Sequence, residues 1–374
     1  MPGAPASPRI LLAGGGTGGH IFPGLALAEE LSAAAPGCEL LFVGAPGGLE
    51  EKLVPEAGRR LELVESVKVR GALGLAKLPL GLLRASRQAA RVLAEFRPDA
   101  AVALGGYAAF APGLAAWRRK VPLVVLEQNA IPGRVSRLLS RLAVEVHAEF
   151  AESADLFPRP RNVLATGNPV RRSILDAAAR RAIRRPDAGG KLTVLVMGGS
   201  QGAKRLNELF AQAAASPALE PLAGRLRAVQ LAGADHFPAA AEAARKSPVE
   251  TSVLAFEKDM AGLYGEADLV ISRAGATALA EIAVCGLPAV LVPFPFAKDN
   301  HQEANARCFE RAGAAKVFLE SGLSGAGLAA ELAALLASPE TLPAMAEKMR
   351  SLGRPKAGAV IAGRLLEIAA GRRG

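Results

Sequence analysis

A chain of 374 residues exceeds what one hydrophobic core usually holds, so two domains are expected. A composition 51% hydrophobic and 21% charged excludes disorder as the main state and suits α/β cores built from Leu, Val, Ile and Ala. The formal charge of +10 admits nucleic acid, an anionic membrane face or a phosphate-rich substrate as partner, without choosing among them.

Cys38, Cys285 and Cys308 are widely spaced and form no C-x-x-C, which argues against a disulfide framework or a zinc site and for a reducing cytosol. The opening residues MPGAPASPRI lack a basic region followed by an apolar run, and no uncharged apolar stretch of about eighteen residues occurs without Gly or Pro, so any membrane contact is expected to be peripheral.

The first structured residues, RILLAGGGTGGH, read as an apolar strand entering a glycine loop, and FPGLALAEEL as a helix beginning near Phe22. ELLFVGA, RPDAAVALGG and VPLVVLEQNA continue the series of short apolar strands. Between Ser66 and Ala94 there is no acid, while Lys68, Arg70, Lys77, Arg84, Arg87 and Arg91 alternate with leucines. Arg84, Arg87 and Arg91 share a helical face beside Leu78, Leu80, Leu82 and Leu83, and Trp117 with Arg118, Arg119 and Lys120 can extend the patch. That stretch fits an anionic membrane surface, or else a solvated basic face over ordinary core leucines. Aromatic side chains are too scarce there for nucleic acid.

Pro169 in TGNPVRRSIL breaks regular structure and marks a linker, after which KLTVLVMGGSQGAKRLNELF repeats the strand, glycine loop and helix of the first unit. LRAVQLAG, TSVLAF, ADLVISRAG and LPAVLVPFP follow as parallel strands, and KAGAVIAGRLLEIAA as a last helix with Val360, Leu365, Leu366 and Ile368 on its apolar spacing. The fold class is therefore α/β, with two Rossmann-like parallel-sheet domains and ligands expected beyond the carboxyl ends of the strands, in the cleft between them.

Gly14, Gly16 and Gly19 satisfy G-x-G-x-x-G, a weak signal alone. The acid that a dinucleotide site wants at the end of the next strand is missing, since Glu39 opens that strand and Val43 and Gly44 close it. What remains is either a tight strand-to-helix turn or a loop whose N–H groups meet a pyrophosphate. His20 stands at its lip, where a neutral imidazole would serve as a base or merely cap the turn. Gly198 to Gly202 form a second loop, with Ser200 adding a hydroxyl. Glu281, on a helix opened by Gly275 and Ala276, would accept both hydroxyls of a ribose or be an ordinary first-turn acid, and DNHQEAN at 299–305 concentrates groups that read sugar hydroxyls. No D-x-D element and no glycine loop followed by Lys-Ser or Lys-Thr occurs, which disfavours metal-bound nucleoside diphosphate, kinase and ATPase chemistry.

GGGTGGHIFPGLALAEEL, GGYAAFAP, EQNAIPGRVSR, TGNPVR, GGSQGAKRLN, SRAGATALAE and DNHQEANA, in this order, resemble the MurG family, the bacterial transferases that complete the lipid-linked disaccharide precursor of peptidoglycan. The resemblance covers nearly the whole chain and departs from the family pattern at Leu126 and Ser136. It implies a GT-B fold, with an acceptor-binding and membrane-associating domain at 1–167, a UDP-sugar-binding domain at 168–351, and a helix at 352–374 packing back on the first domain. It implies that Ser200 contacts the donor phosphate, Glu281 the ribose and Arg171 the nucleotide, with Asn129 and Gln302 reaching the sugar. Ala276, Thr277, Ala278, Leu279 and Ala280 would lie beneath the diphosphate, and Phe256, Glu257 and the residues to Met260 would edge the uracil. The loop from Gly15 and Gly16 through Thr17, Gly18, Gly19 and His20, together with Gly105, Gly106 and Tyr107, would hold the acceptor pyrophosphate, with Thr17, Gly18 and Gly19 also reaching the donor.

The activity so implied is inverting transfer of N-acetylglucosamine from UDP-N-acetylglucosamine to the C4 hydroxyl of undecaprenyl-pyrophosphoryl-N-acetylmuramyl pentapeptide, with His20 as base, without cofactor, metal or nucleic acid. It would take place peripherally on the cytoplasmic face of the inner membrane. Another GT-B glycolipid synthase, a UDP-sugar epimerase and a non-enzymatic nucleotide-binding or membrane-scaffold module are the alternatives, separated by donor competition, donor turnover without acceptor, and donor binding without transfer.

Overall fold

The computed structural model describes residues 7–66, 71–181, 191–199 and 202–373, with backbone alone at 71–79 and 373. The chain divides into two compact units, Met1–Arg172 with Pro355–Gly374, and Ser173–Arg354.

The first unit is built on strands β1 (Arg9–Gly14), β2 (Glu39–Gly44), β3 (Arg60–Leu63), β4 (Ala100–Gly105), β5 (Leu123–Glu127), β6 (Glu145–Ala148) and β7 (Val163–Leu164). Its helices are α1 (Gly18–Ala34), α2 (Glu50–Glu56), α3 (Gly71–Phe96), α4 (Phe110–Arg118) and α5 (Arg134–Leu139). The sheet order is β3-β2-β1-β4-β5-β6-β7, and every pair is parallel. β1, β4 and β5 are buried on both faces, which is why they read as continuous apolar runs. The edge strands β3 and β7 and the neighbouring β6 were not legible in this way: they are short, and β3 and β7 are only partly buried.

In the second unit α6 (Arg172–Arg180) spans the division, followed by β8 (Leu192–Met197), α7 (Lys204–Ala214), β9 (Leu226–Leu231), α8 (Phe237–Arg245), β10 (Glu250–Leu254) and α9 (Met260–Glu266). Then come β11 (Leu269–Ser272), α10 (Ala276–Cys285), β12 (Ala289–Leu291), α11 (His301–Arg311), β13 (Ala315–Val317), α12 (Gly325–Ala337) and α13 (Thr341–Leu352). The order β10-β9-β8-β11-β12-β13, again parallel throughout, repeats the arrangement of the first sheet around its earliest strand. In each sheet the strand order reverses beside the strand that enters the glycine loop, at β1/β4 and at β8/β11, and such switch points are where open α/β sheets bind ligands.

α14 (Ala357–Arg373) belongs to the first unit, where it packs against α1. Of the apolar residues its spacing picks out, Leu365 is buried and Leu366 and Ile368 pack partly buried against the same core, so the face is as expected except at Val360. Ile361, Ala362, Leu365 and Ala369 are fully buried in the core with Ile10, Leu27 and Leu31, whereas Val360 is 48% exposed. Alanines carry half of that contact and give little periodic signal.

Candidate functional site

α1 begins at Gly18 and not near Phe22, because the Thr17 carbonyl accepts the N–H groups of His20 (3.2 Å) and Ile21 (3.3 Å). His20 therefore sits in the first turn of a helix and not on the rim of a loop. Gly14 holds φ of 159° in extended backbone, and a Cβ there would lie 2.7 Å from that of Leu104, so this glycine is required by β1–β4 packing. At Gly105 (φ 108°) a Cβ would come within 2.6 Å of His20 Nδ1, and at Gly106 (φ 73°) within 2.5 Å of the Gly15 carbonyl oxygen. The imidazole thus lies on the turn that leaves β4, with the 49% exposed Tyr107 immediately after it.

No acid stands at the end of β2, but α2 brings one to the same place. Glu50 is fully buried, and its carboxylate accepts the N–H of Gly16 at 2.8 Å and of Ala45 at 2.9 Å. One amide of the glycine loop is therefore committed within the protein, beside a negative charge that weakens the loop's attraction for anions. Among the described residues no protein acceptor takes the N–H of Thr17 or Gly18, which leaves the start of α1 as the anion-facing part of the loop.

The exit of β5 completes this group. Glu127 is buried, and its Oε1 accepts the backbone N–H (3.0 Å) and Nδ2 (3.2 Å) of Asn129, while its Oε2 accepts the N–H of Gly133 at 3.0 Å. The acid shapes the 127–133 turn that presents Asn129. Gln128, 2% exposed, places Oε1 3.1 Å from His20 Nδ1 and donates Nε2 to the Leu104 carbonyl at 3.1 Å. Neither Glu50 nor Gln128 was a candidate from sequence; polar residues at the exit of a fully apolar strand were the signal for the second. Arg171 also falls in the first unit, its guanidinium 4.7 Å above the Phe22 ring.

In the second unit the loop after β8 turns through Gly199 (φ 88°) and Gly202 (φ 74°). A Cβ on Gly198 would lie 2.4 Å from Ala203 N, and one on Gly202 2.1 Å from the Ala232 carbonyl oxygen, so close packing alone requires both glycines. Asn207 donates to that same carbonyl at 2.9 Å and accepts from Gln230 at 3.1 Å, a buried neutral network behind the loop. Ser200 and Gln201 lie outside the described residues.

α10 opens at Gly275, after β11. Thr277 and Ala278 are half-buried at its start. Leu279 is fully buried and its N–H bonds the Gly275 carbonyl at 3.0 Å, so it offers a ligand neither side chain nor amide; Ala276 and Ala280 are also buried. Glu281 is the sixth residue of α10 and not a first-turn acid; it is 5% exposed and accepts the hydroxyl of the fully buried Tyr264 at 3.1 Å. Phe256 is 62% exposed after β10, and Glu257 accepts the N–H of Asp259, which caps α9. Gln302 spends its Oε1 on the backbone N–H groups of Ala274 (3.1 Å) and Phe294 (3.0 Å), so only its Nε2 is left for a hydroxyl. His301 Nδ1 faces the Lys298 carbonyl at 2.6 Å, an arrangement that follows two left-handed residues, Asp299 and Asn300.

Comparison with known proteins gives these features a common setting. Residues 10–148 match the glycosyltransferase family 28 N-terminal domain, and residues 193–359 the family 28 C-terminal domain. A UDP-N-acetylglucosamine–N-acetylmuramyl-(pentapeptide) pyrophosphoryl-undecaprenol N-acetylglucosamine transferase of Anaeromyxobacter is 43% identical across 98% of this chain and 95% of its own. One from Pseudomonas paraeruginosa is 43% identical across 97% and 99%. The crystal structure of Acinetobacter baumannii MurG superimposes with a TM-score of 0.78 at 31% identity, covering 96% of this chain and 99% of that one. A UDP-GlcNAc 2-epimerase from Neisseria meningitidis, at 15% identity and a TM-score of 0.65, shares the fold. With both domain matches in order and this identity over nearly its whole length, the chain belongs to the MurG family of glycosyltransferase family 28.

Proposed function

We propose that this chain transfers N-acetylglucosamine from UDP-N-acetylglucosamine to the C4 hydroxyl of an undecaprenyl-pyrophosphoryl-N-acetylmuramyl pentapeptide. The relatives that carry this activity in their names align over nearly every residue. The observation that carries the reading to a reaction is His20, set on the Gly105–Gly106 turn at the β1/β4 switch point beside the exits of β4 and β5.

The acceptor sugar and its pyrophosphate belong, in this reading, to the first unit, along Gly15 to His20 and Gly105 to Tyr107. The donor belongs to the second, with Glu281 on the ribose, Phe256 and Glu257 at the uracil, Ala276 to Ala280 near the diphosphate and Gln302 Nε2 on the sugar. Ser200, Asn129 and Arg171 keep the roles that family likeness implies for them. The acceptor C4 oxygen bonds to the anomeric carbon, the bond from that carbon to the diphosphate oxygen breaks, and the hydroxyl proton passes to the His20 imidazole. UDP departs as an anion. The amide-rich start of α10 and the loop after β8 are suited to that charge, so the protein's own dipoles can serve where a metal ion would otherwise be needed.

Work at a lipid acceptor calls for residence on the cytoplasmic membrane face. Leu80 (54% exposed), Leu83 (46%) and Trp117 (49%) present apolar surface, with Arg84, Arg87 and Arg118 exposed on the same two helices, α3 and α4, which pack together, and Arg119 and Lys120 exposed just past the end of α4. Arg91 contributes less, because Glu95 pairs with it at 2.8 Å. Lys68 and Arg70 lie outside the described residues, as does the side chain of Lys77. Among the described residues no helix is long and apolar enough to cross a membrane.

The deciding experiment supplies labelled UDP-N-acetylglucosamine with a short-chain lipid pyrophosphoryl-muramyl peptide and looks for the labelled disaccharide product. Donor turnover that does not depend on the acceptor would count against the proposal.

A further inference from the structure

The buried side chain of Gln128 faces the His20 imidazole and the exit of β4 at once. Its orientation follows from one contact. The Leu104 carbonyl, 3.1 Å from Nε2, can only accept, so the NH₂ end of the amide must face it and the oxygen must face away. That oxygen lies 3.1 Å from His20 Nδ1 and can only accept in turn, which requires a hydrogen on Nδ1. Gln128 is 2% exposed and cannot exchange these partners for water. The reverse amide placement would set oxygen against oxygen at Leu104, so the chemistry of the carbonyl settles a choice that ring and amide coordinates alone leave open. Gly105 and Gly106, where any Cβ would strike the imidazole or the Gly15 carbonyl, keep the ring against this acceptor.

We infer that Gln128 is a positioning residue that holds neutral His20 as the Nδ1–H tautomer, leaving the lone pair on Nε2 as the site that receives the acceptor's proton. This rests on the reading of His20 as the base and refines it to one atom. Among the described residues no side chain or backbone group donates to Nε2. An unconstrained imidazole favours the opposite tautomer, with hydrogen on Nε2, and would present a donor where the reaction needs an acceptor. An uncharged amide as the orienting group also sets the tautomer without placing another carboxylate near a phosphorylated ligand.

The test reads the tautomer directly on the resting protein, by ¹⁵N NMR of selectively labelled histidine, assigned through the loss of one signal in His20→Ala. The wild-type protein is expected to show a protonated Nδ1 and an unprotonated Nε2 once the imidazole is neutral. Gln128→Met, which keeps the length but has no comparable acceptor, should shift the ring toward the Nε2–H form and lower turnover roughly tenfold or more, with donor KM little changed. Gln128→Glu retains an acceptor for Nδ1–H and should retain the tautomer, although its second oxygen then faces the Leu104 carbonyl; thermal melts of both variants report any loss of fold. A wild-type Nε2–H signal, or a folded Gln128→Met whose tautomer is unchanged, overturns the inference. A tautomer that moves while turnover does not leaves the Gln128 assignment standing and removes His20 as the base.

Discussion

The two glycine loops occupy the same place on the same scaffold, each leaving the founding strand of a parallel sheet at its switch point, yet the protein secures them by opposite means. Behind the first is a buried carboxylate, Glu50, which takes the Gly16 amide; behind the second is a neutral pair, Asn207 and Gln230. A negative charge beside a loop discourages a second anion, whereas a neutral network leaves the loop's dipoles at full strength. The contrast fits the proposed division of labour, in which the second loop is free to face a departing diphosphate while the first meets the acceptor pyrophosphate only through the start of α1, beside the base. It also shows that a glycine motif specifies backbone shape long before it specifies a ligand, since packing alone accounts for Gly14, Gly198 and Gly202.

The most severe challenge to that division is His20→Ala. Turnover should fall by about 10²- to 10⁴-fold while UDP-sugar binding, measured by calorimetry, stays near wild type; near-normal turnover would erase the functional difference between the loops. Glu50→Ala should come next, because it strips the buried Ala45 amide and the part-buried Gly16 amide of their acceptor at a cost of roughly 2 to 4 kcal/mol in denaturant unfolding, most of it in the first unit. Asn207→Ala should cost only about 1 to 2 kcal/mol, the neutral counterpart of the same experiment. If the two losses came out equal, charge would not be what distinguishes the loops.

Tyr264→Phe removes the hydroxyl that Glu281 accepts and should lower stability by about 1 kcal/mol, raising donor KM more than it changes the maximal rate. A smaller effect is expected on acidification. Burial holds the His147 imidazole below its usual range, and the Arg364 guanidinium holds the Glu145 carboxyl below its own. Both folded-state values are depressed, so the unfolded chain binds protons more readily and both contributions shrink as pH falls. For His147 the loss begins below its ordinary value of 6.5, and for Glu145 below 4.5. Melting temperature should therefore decline through this range, and Arg364→Ala should flatten the lower part of the curve most, with a smaller change in the upper part because the same guanidinium also holds His147 down.

How much of this was legible in the sequence depended on how each residue signals its role. Strands buried on both faces, such as β4 and β8, stand out as unbroken apolar runs, and the two glycine loops mark the beginning of each sheet. Short edge strands such as β13 leave almost no pattern in three residues. Glu50 carries no signal of this kind, because its carboxylate arrives from the helix that follows β2 and not from the end of the strand. Glu281 was visible as an acid on a helix, but its burial and its tyrosine partner seventeen residues earlier are products of tertiary packing. The terminal contact of α14 was partly obscured by alanines, which bury readily and carry no periodic contrast.

That contact has a consequence for synthesis. The core around Ile10, Leu27 and Leu31 needs Ile361, Ala362, Leu365 and Ala369, and the ribosome makes these only after the whole second unit. At about 5 to 20 residues per second, the gap of some 200 residues lasts roughly 10 to 40 seconds, during which the nascent first unit displays an uncovered apolar stripe on α1. The first of the two units to emerge is thus the last to be completed, a period when chaperone capture competes with folding.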